Sequence, residues 1–346
     1  MSILSTSTDA QVGMLPQPYL LFLGDTTESA YAKTAHGLRD WAGDICVGEW
    51  SCGATVSTGL PLLSPAEARA RGARSLVIGV ANPGGFIPEG WMASLLEALE
   101  AGLDLISGMH MRLADVRPLA AAAARLGRRL IDIRTPPPNI PVASGRKRTG
   151  KRLLTVGTDC ALGKKYTALA LARAFVARGV DADFRASGQT GILIAGGGIP
   201  MDAVIADFEA GAAELLSPAG PAQHWDVIEG QGSLFHPAYA GVSLGLLHGS
   251  QPDVFVVCHE PGRTRMLGYP DFALPDIEEV IDMTVRLGRR TNPAIRCVGV
   301  SLNTARLDAD AVRQLCLQES RRLDLPVADP MRGGEAFDRL VEAALL

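Results

Sequence analysis

Two adjacent lysines at the end of a glycine-bounded loop are the residues in this chain whose types and spacing most clearly imply chemistry. Leu153-Leu-Thr-Val-Gly157 reads as a buried strand, Thr158-Asp159-Cys160-Ala-Leu-Gly163 as a loop, and Lys164-Lys165-Tyr166-Thr167 as the start of an alanine- and leucine-rich helix. Strand, loop and helix in that order build a phosphate-binding loop. Its backbone N–H groups curl around an anion, the helix N-terminus adds partial positive charge, and a lysine reaches over the oxygens. The usual spelling is G-x-x-x-x-G-K-[ST]. Here Thr158 replaces the first glycine and Lys165 replaces the hydroxyl residue. That hydroxyl normally coordinates the magnesium of a nucleoside triphosphate, whereas an ammonium group repels a cation. The loop is therefore expected to seat a diphosphate neutralised by lysines, with no metal required. Coenzyme A carries such a diphosphate. The plain alternative is a glycine–lysine pair that happens to fall in a loop.

Groups that could move a proton lie further along. The strand Trp225-Asp-Val-Ile228 delivers Glu229 to its carboxyl end, followed by Gly230-Gln231-Gly232, where backbone can approach a ligand. Glu229 is the best general-base candidate, with a structural strand-end acid as the competing reading. His236 follows on the loop beyond, and His259 ends the strand Val254–Cys258. Each histidine alone is catalyst or satisfied polar group. Cys160 is either a thiol activated at a helix start or a small side chain turned into the domain. Arg185, Arg263 and Arg265 are the cations placed for a carboxylate-bearing substrate, or are surface arginines. Asn303, at a strand end, could contact a nucleotide base or simply form a turn.

The elements that must position these groups alternate strand and helix. Before the loop, strands are expected at Tyr19–Leu23, Ile45–Val47, Ser75–Val80, Asp104–Ile106 and Leu130–Ile133, with helices between them. Ser64-Pro65-Ala66-Glu67 has the pattern of a helix start with proline at the first position and an acid at the third. That alternation predicts a parallel sheet, so residues 1–140 form a Rossmann-like α/β domain. Residues 141–150 read as a linker after the stiff Thr135–Pro141 stretch. Residues 151–346 form a second α/β domain like that of the P-loop NTPases. Within it, Lys164–Arg178 is expected as a helix, Ala186–Gly191 as a polar turn, Ile192–Ile194 as an apolar run, and Pro200–Leu215 as a helix with Asp202 and Glu209 on one side. Five basic residues among Gly145–Arg152 read as a solvated linker end lending positive potential to the phosphate pocket.

Bulk properties narrow the partners. The chain has 346 residues, 47% apolar and 20% charged, and a net charge of −4. This gives no case for nucleic acid or an anionic membrane. Met1–Gln17 has no signal-peptide pattern, and no stretch reaches the about 18 apolar residues of a spanning helix. Six scattered cysteines lack C-x-x-C spacing and read as reduced thiols. A cytoplasmic protein is expected, and a homo-oligomer by analogy with similar domains.

The loop and the Val227-Ile-Glu229-Gly230-Gln-Gly232 segment resemble those of dethiobiotin synthetases. Over nearly its full length, however, the chain is more similar to the D-glutamate N-acetyltransferase (DgcN-type) family, through Gly24-Asp25, Gly188-Gln189-Thr190-Gly191, Glu229-Gly230-Gln231-Gly232 and Gly268-Tyr269-Pro270. The resemblance implies acetyl transfer from acetyl-CoA to the α-amine of D-glutamate. Gly157, Thr158, Asp159, Cys160, Gly163, Lys164, Lys165, Tyr166, Thr167 and Asn303 would then bind the coenzyme. Glu229, His236 and His259 would be catalytic, and Arg185, Gln189, Gln231 and Arg263 would hold the amino-acid substrate. The alternatives are an ATP- and magnesium-dependent ligase or kinase of the dethiobiotin synthetase type, and a non-catalytic nucleotide-binding regulator.

Overall fold

The computed structural model of the protein describes residues 15–346 apart from Pro83, so most of the Met1–Gln17 start lies outside the described residues. The chain divides into two compact units. One joins Pro137–Gly191 to Met201–Leu346, and the other joins the described part of Gln11–Pro136 to Ile192–Pro200.

The first unit in chain order is a five-stranded parallel sheet. Its strands are β1 (Tyr19–Phe22), β2 (Cys46–Trp50), β3 (Ser75–Ile78), β4 (Asp104–Ser107) and β5 (Leu130–Asp132), in the order β2-β1-β3-β4-β5. Every residue of β1, β3 and β4 is buried, as strands covered on both faces must be. The helices α1 (Lys33–Ala42), α2 (Pro65–Ala70), α3 (Met92–Glu100) and α4 (Arg117–Leu126) alternate with the strands. The start of α2 is the capping box expected from its sequence. The Glu67 backbone N–H donates to Ser64 Oγ (3.3 Å), and the Ser64 N–H donates to Glu67 Oε2 (2.8 Å).

The other unit carries a six-stranded parallel sheet. Its strands are β6 (Lys151–Gly157), β7 (Ala182–Arg185), β8 (Trp225–Ile228), β9 (Val254–His259), β12 (Arg296–Leu302) and β13 (Val327–Ala328), ordered β13-β12-β9-β6-β8-β7. A separate antiparallel hairpin, β10 (Arg265–Met266) and β11 (Tyr269–Ala273), follows β9. The helices are α5 (Lys164–Ala177), α6 (Gln189–Ala195), α7 (Glu209–Leu216), α8 (Ala240–Ser250), α9 (Ile277–Gly288), α10 (Ala309–Leu323) and α11 (Gly334–Leu345). Leu153 of β6, Leu171 and Phe175 of α5, Trp225 and Val227 of β8, and Leu340 of α11 share one core. Each fully buried side chain of this size contributes about 1.5–3 kcal/mol. That core packs β6 against α5, the two elements that the loop joins.

Three stretches depart from the sequence expectations. The Ala186–Gly191 turn and the apolar run after it are partly one helix, because α6 starts at Gln189. Pro200–Leu215 is not a single helix: turns of 3-10 helix at Met201–Ala203 and Ala206–Phe208 precede α7. Asp202 and Glu209 therefore share no helix face, and Ile205 is exposed. The basic run Gly145–Arg152 is only in part a solvated linker end: Arg146, Lys147 and Lys151 are exposed, whereas Arg148 and Arg152 are tied into the fold. Lys151 and Arg152 begin β6, at the end opposite the loop, and Arg152 is fully buried. The Arg152 guanidinium donates to the carbonyls of Arg148, Thr149, Gly150, Ser217 and Pro218, and its Nε lies 3.8 Å from Asp226 Oδ2. Lys147 pairs with Asp253 (2.8 Å). Close spacing of cations reflects partners converging on the N-terminal edge of this sheet, not an anion site. Arg152→Met strands buried acceptors and a carboxylate, so the urea midpoint should fall by the equivalent of about 3 kcal/mol or more.

Candidate active site

The phosphate loop runs from the end of β6 to the start of α5. Gly163, at the helix boundary, has φ +103°, and Ala161 also has positive φ (+55°), which curls the loop back over the helix. Lys164 is buried, and its Nζ donates to the Asp159 carbonyl at 2.7 Å. Burial pushes its ammonium pKa down. Asp159, fully buried, ties the loop together. Oδ1 accepts from the Cys160 N–H (2.6 Å), while Oδ2 accepts from the Leu267 N–H (2.8 Å) and Arg263 Nη1 (3.1 Å). Arg263 also donates to the Cys160 carbonyl (2.9 Å) and pairs with Glu260. It therefore braces the loop, and meets a substrate carboxylate only by releasing Asp159. Thr158 Oγ1 lies 3.0 Å from His259 Nδ1, so that histidine is also engaged with the loop. Lys165 Nζ sits 4.5 Å from the centre of the Tyr166 ring. The Thr167 hydroxyl lies 2.8 Å from Ser301 Oγ, beneath the loop.

Glu229 stands beyond β8 and is buried. Its Oε2 accepts from the backbone N–H groups of Ser187 and Gly188, both at 3.1 Å. Burial pushes its pKa up to about 7, against the opposing pull of Lys165, those two N–H groups and Lys164. This carboxylate is thus half protonated near neutrality and lies in the field of both loop lysines. Gly191 makes room for the carboxylate, and Gly230 lets its segment lie close to β6. A Cβ at Gly191 would overlap Glu229 Oε2, and one at Gly230 would overlap the Thr155 carbonyl oxygen. The Gly230 N–H donates to Thr155 Oγ1 (2.9 Å), which fastens the Glu229 segment to β6. Gln231 Nε2 donates to Ser187 Oγ (3.0 Å), so Gln231 borders the same cradle, and Gln189 opens α6 one residue beyond it.

His236 is buried, with its ring stacked on Tyr239 (centroids 4.5 Å apart) and edge-on to Tyr269 (4.9 Å). Its Nδ1 accepts from the backbone N–H groups of Ala238 (3.1 Å) and Tyr239 (3.3 Å). The neutral ring therefore carries its proton on Nε2. Burial lowers its pKa and favours that neutral form. Nε2 has no hydrogen-bond partner among the described residues, and Asp159 Oδ1 stands 3.8 Å away. A ring with Nδ1 occupied and Nε2 protonated donates rather than accepts, so His236 is ill suited to be the base. Asp159, Cys160 and His236 bring potential metal ligands within 4.8 Å of one another. Asp159 Oδ1 accepts one backbone N–H there, and Oδ2 accepts a backbone N–H and a guanidinium.

Arg185 and Asn303 are turned to other partners. The Arg185 side chain runs back along the sheet to Asp226 Oδ1 (2.5 Å) and Asp183 Oδ2 (3.2 Å), away from the carboxyl ends of the strands. The Asn303 N–H donates to the His259 carbonyl (2.8 Å), and its Oδ1 accepts from the Ala305 N–H (3.3 Å), as in a turn. Cys160 is partly buried, and burial raises its thiol pKa, so the protonated form prevails. Sequence reasoning missed the Ser187–Gly188 cradle and the bracing by Leu267. The glycines of Ser187-Gly188-Gln189-Thr190-Gly191 signalled the first, whereas nothing local signalled the second.

Comparison with known proteins sets this geometry in context. Residues 141–341 match the model of the C-terminal P-loop domain of DUF1611, a domain of unknown function, and residues 46–136 match the model of its N-terminal Rossmann-like domain. A protein of Tritonibacter scottomollicae named D-glutamate N-acetyltransferase is 50% identical over 95% of this chain and 99% of its own. One of Pseudoalteromonas sp. with the same name is 48% identical over 92% of this chain and 96% of its own. The crystal structure of a DUF1611 family protein from Anabaena variabilis superposes with a TM-score of 0.83 at 34% identity, covering 95% of this chain and 98% of that one.

Proposed function

We propose that this chain, which belongs to the DUF1611 family and is a D-glutamate N-acetyltransferase like its curated relatives, takes the acetyl group from acetyl-CoA and holds the coenzyme's diphosphate in the phosphate loop. The observation that carries this reading is the placement of a carboxylate with pKa about 7 beside two lysines at that loop. The lysines and the α5 N-terminus supply the positive charge that a diphosphate needs. Glu229 supplies a base matched to neutral pH.

In this mechanism the D-glutamate ammonium gives a proton to Glu229, directly or through one water. The freed amine attacks the thioester carbon. The carbon–sulfur bond then breaks as the second nitrogen proton of the tetrahedral adduct passes to the departing thiolate, which leaves N-acetyl-D-glutamate and free coenzyme A, and Glu229 returns its proton to solvent. The oxyanion formed on attack needs N–H donors, and the backbone of the glycine-rich turns around Glu229 can provide them. Gln189 and Gln231, which border the Glu229 cradle, are the side chains best placed for the substrate carboxylates. Arg185 and Arg263 contribute only if they exchange their present partners.

Cys160 is no acyl carrier in this scheme, since its thiol is pushed toward the protonated form. Turnover by Cys160→Ala should stay within about threefold of the parent, as expected for a side chain outside the chemistry. The setting inferred is cytoplasmic and homo-oligomeric, the latter on fold analogy. None of the described helices is long and apolar enough to cross a membrane.

Inorganic pyrophosphate tests the placement of the donor. Inhibition competitive with acetyl-CoA and not with D-glutamate is expected, while competition with D-glutamate alone would assign the loop to the acceptor.

A further inference from the structure

The sulfur of acetyl-CoA lies about 15 Å from the nearer phosphorus when the pantetheine arm is extended, by roughly thirteen bonds of ordinary length. Glu229, in contrast, stands close enough to Lys164 and Lys165 for their charges to depress its pKa. With the diphosphate in the loop, the reading on which this inference rests, the arm has to double back for its thioester to meet an amine beside Glu229. A flexible, largely apolar arm turns back most readily over an apolar surface.

Such a surface adjoins both the loop and the Glu229 segment. Tyr239, Leu267 and Phe272 are all about half exposed, at 50%, 57% and 49%. The Leu267 N–H donates to Asp159 Oδ2 in the loop (2.8 Å), which anchors the β10–β11 hairpin there. Tyr239 lies against Gly232, three residues past Glu229, and the nearest atoms that a Cβ at Gly232 would meet belong to Tyr239 and Ser243. Between these ends the rings form one series. Tyr239 stacks on His236, His236 meets Tyr269 edge-on, and Tyr269 meets Phe272 edge-on at 6.2 Å. Buried His236 supports the exposed members from behind.

We propose that Tyr239, Leu267 and Phe272 form the subsite for the pantetheine arm of the acyl donor and turn it from the phosphate loop toward Glu229. The subsite favours donors with the full arm over the bare nucleotide end of the coenzyme. It also predicts that arm contacts and diphosphate contacts can be lost separately.

The test is steady-state kinetics of Phe272→Ala and Tyr239→Ala, with inhibition by pyrophosphate measured alongside. Removing one exposed aromatic contact should raise the KM for acetyl-CoA about tenfold. The KM for D-glutamate and the inhibition constant for pyrophosphate should not change. Tyr239→Phe, which keeps the ring, should raise the KM for acetyl-CoA less than Tyr239→Ala does. Phe272 is not part of the core, so its variant alone decides the matter if Tyr239→Ala does not fold. An unchanged KM for acetyl-CoA in Phe272→Ala overturns the proposal. Pyrophosphate that fails to compete with acetyl-CoA in the unmodified protein overturns instead the loop assignment beneath it.

Discussion

Glu229→Gln should lower kcat about a thousandfold, within the range attributed to a positioned general base, while the KM for acetyl-CoA changes little. The amide can still accept the Ser187 and Gly188 N–H groups that now bind Oε2, so the cradle survives and only the proton acceptor is lost. The pH profile separates this outcome from a folding defect. Only the ionised carboxylate is a base, so kcat/KM of the parent should rise through about pH 7 and then level off, whereas the variant should lack that limb. Stability should move the other way. The folded-state pKa of about 7 lies above the 4.5 of a free glutamate side chain. The folded protein therefore binds this proton more tightly than the unfolded chain does. The resulting stabilisation is complete below about 4.5 and is lost as pH rises through 7, a swing of about 3 kcal/mol for this shift. Glu229→Gln removes that swing, so the variant should gain thermal stability relative to the parent between pH 5 and pH 8. A catalytic loss accompanied by such a gain marks a functional strained acid rather than a structural one.

Lys164→Ala should raise the KM for acetyl-CoA about tenfold to a hundredfold, since a charge-assisted contact to an anion contributes about 1.5–3 kcal/mol. The Lys164 Nζ now rests on the Asp159 carbonyl, a neutral partner that it can exchange for a phosphate oxygen without stranding another charge. Its loss also removes one of the cations that hold the Glu229 pKa down. The rising limb of the variant's pH profile should therefore shift to higher pH. A change in KM with no movement of the limb would detach Glu229 from the loop electrostatically.

Much of this arrangement was legible in the chain. The strand–loop–helix order around Gly157–Thr167 and the delivery of Glu229 by β8 follow from apolar runs ending at glycines, and both lie where expected. The parallel sheets follow from the alternation of strands and helices, and the matches to Rossmann-like and P-loop domain models agree. Less visible were features set by long-range contacts. Arg152 looked like one cation in a surface run, yet its partners at Ser217, Pro218 and Asp226 are more than 60 positions away. The role of Arg263 depends on Asp159, 104 positions earlier, and no local pattern encodes that pairing. The hairpin Arg265–Ala273 escaped notice because its strands are short, exposed and interrupted by Pro270. The failed helix over Pro200–Leu215 shows the converse error. The proline start and the spacing of Asp202 and Glu209 suggested one helix, but the segment breaks into two tight turns before α7.

The most direct measurement is free-thiol release from acetyl-CoA with D-glutamate, in EDTA and without ATP, with the amino-acid product weighed by mass spectrometry. A lysine-neutralised loop serving a thioester donor predicts one thiol per N-acetyl-D-glutamate formed, at a rate that added magnesium and ATP do not raise. Thiol that appears only when magnesium and ATP are supplied, together with ADP, would contradict it.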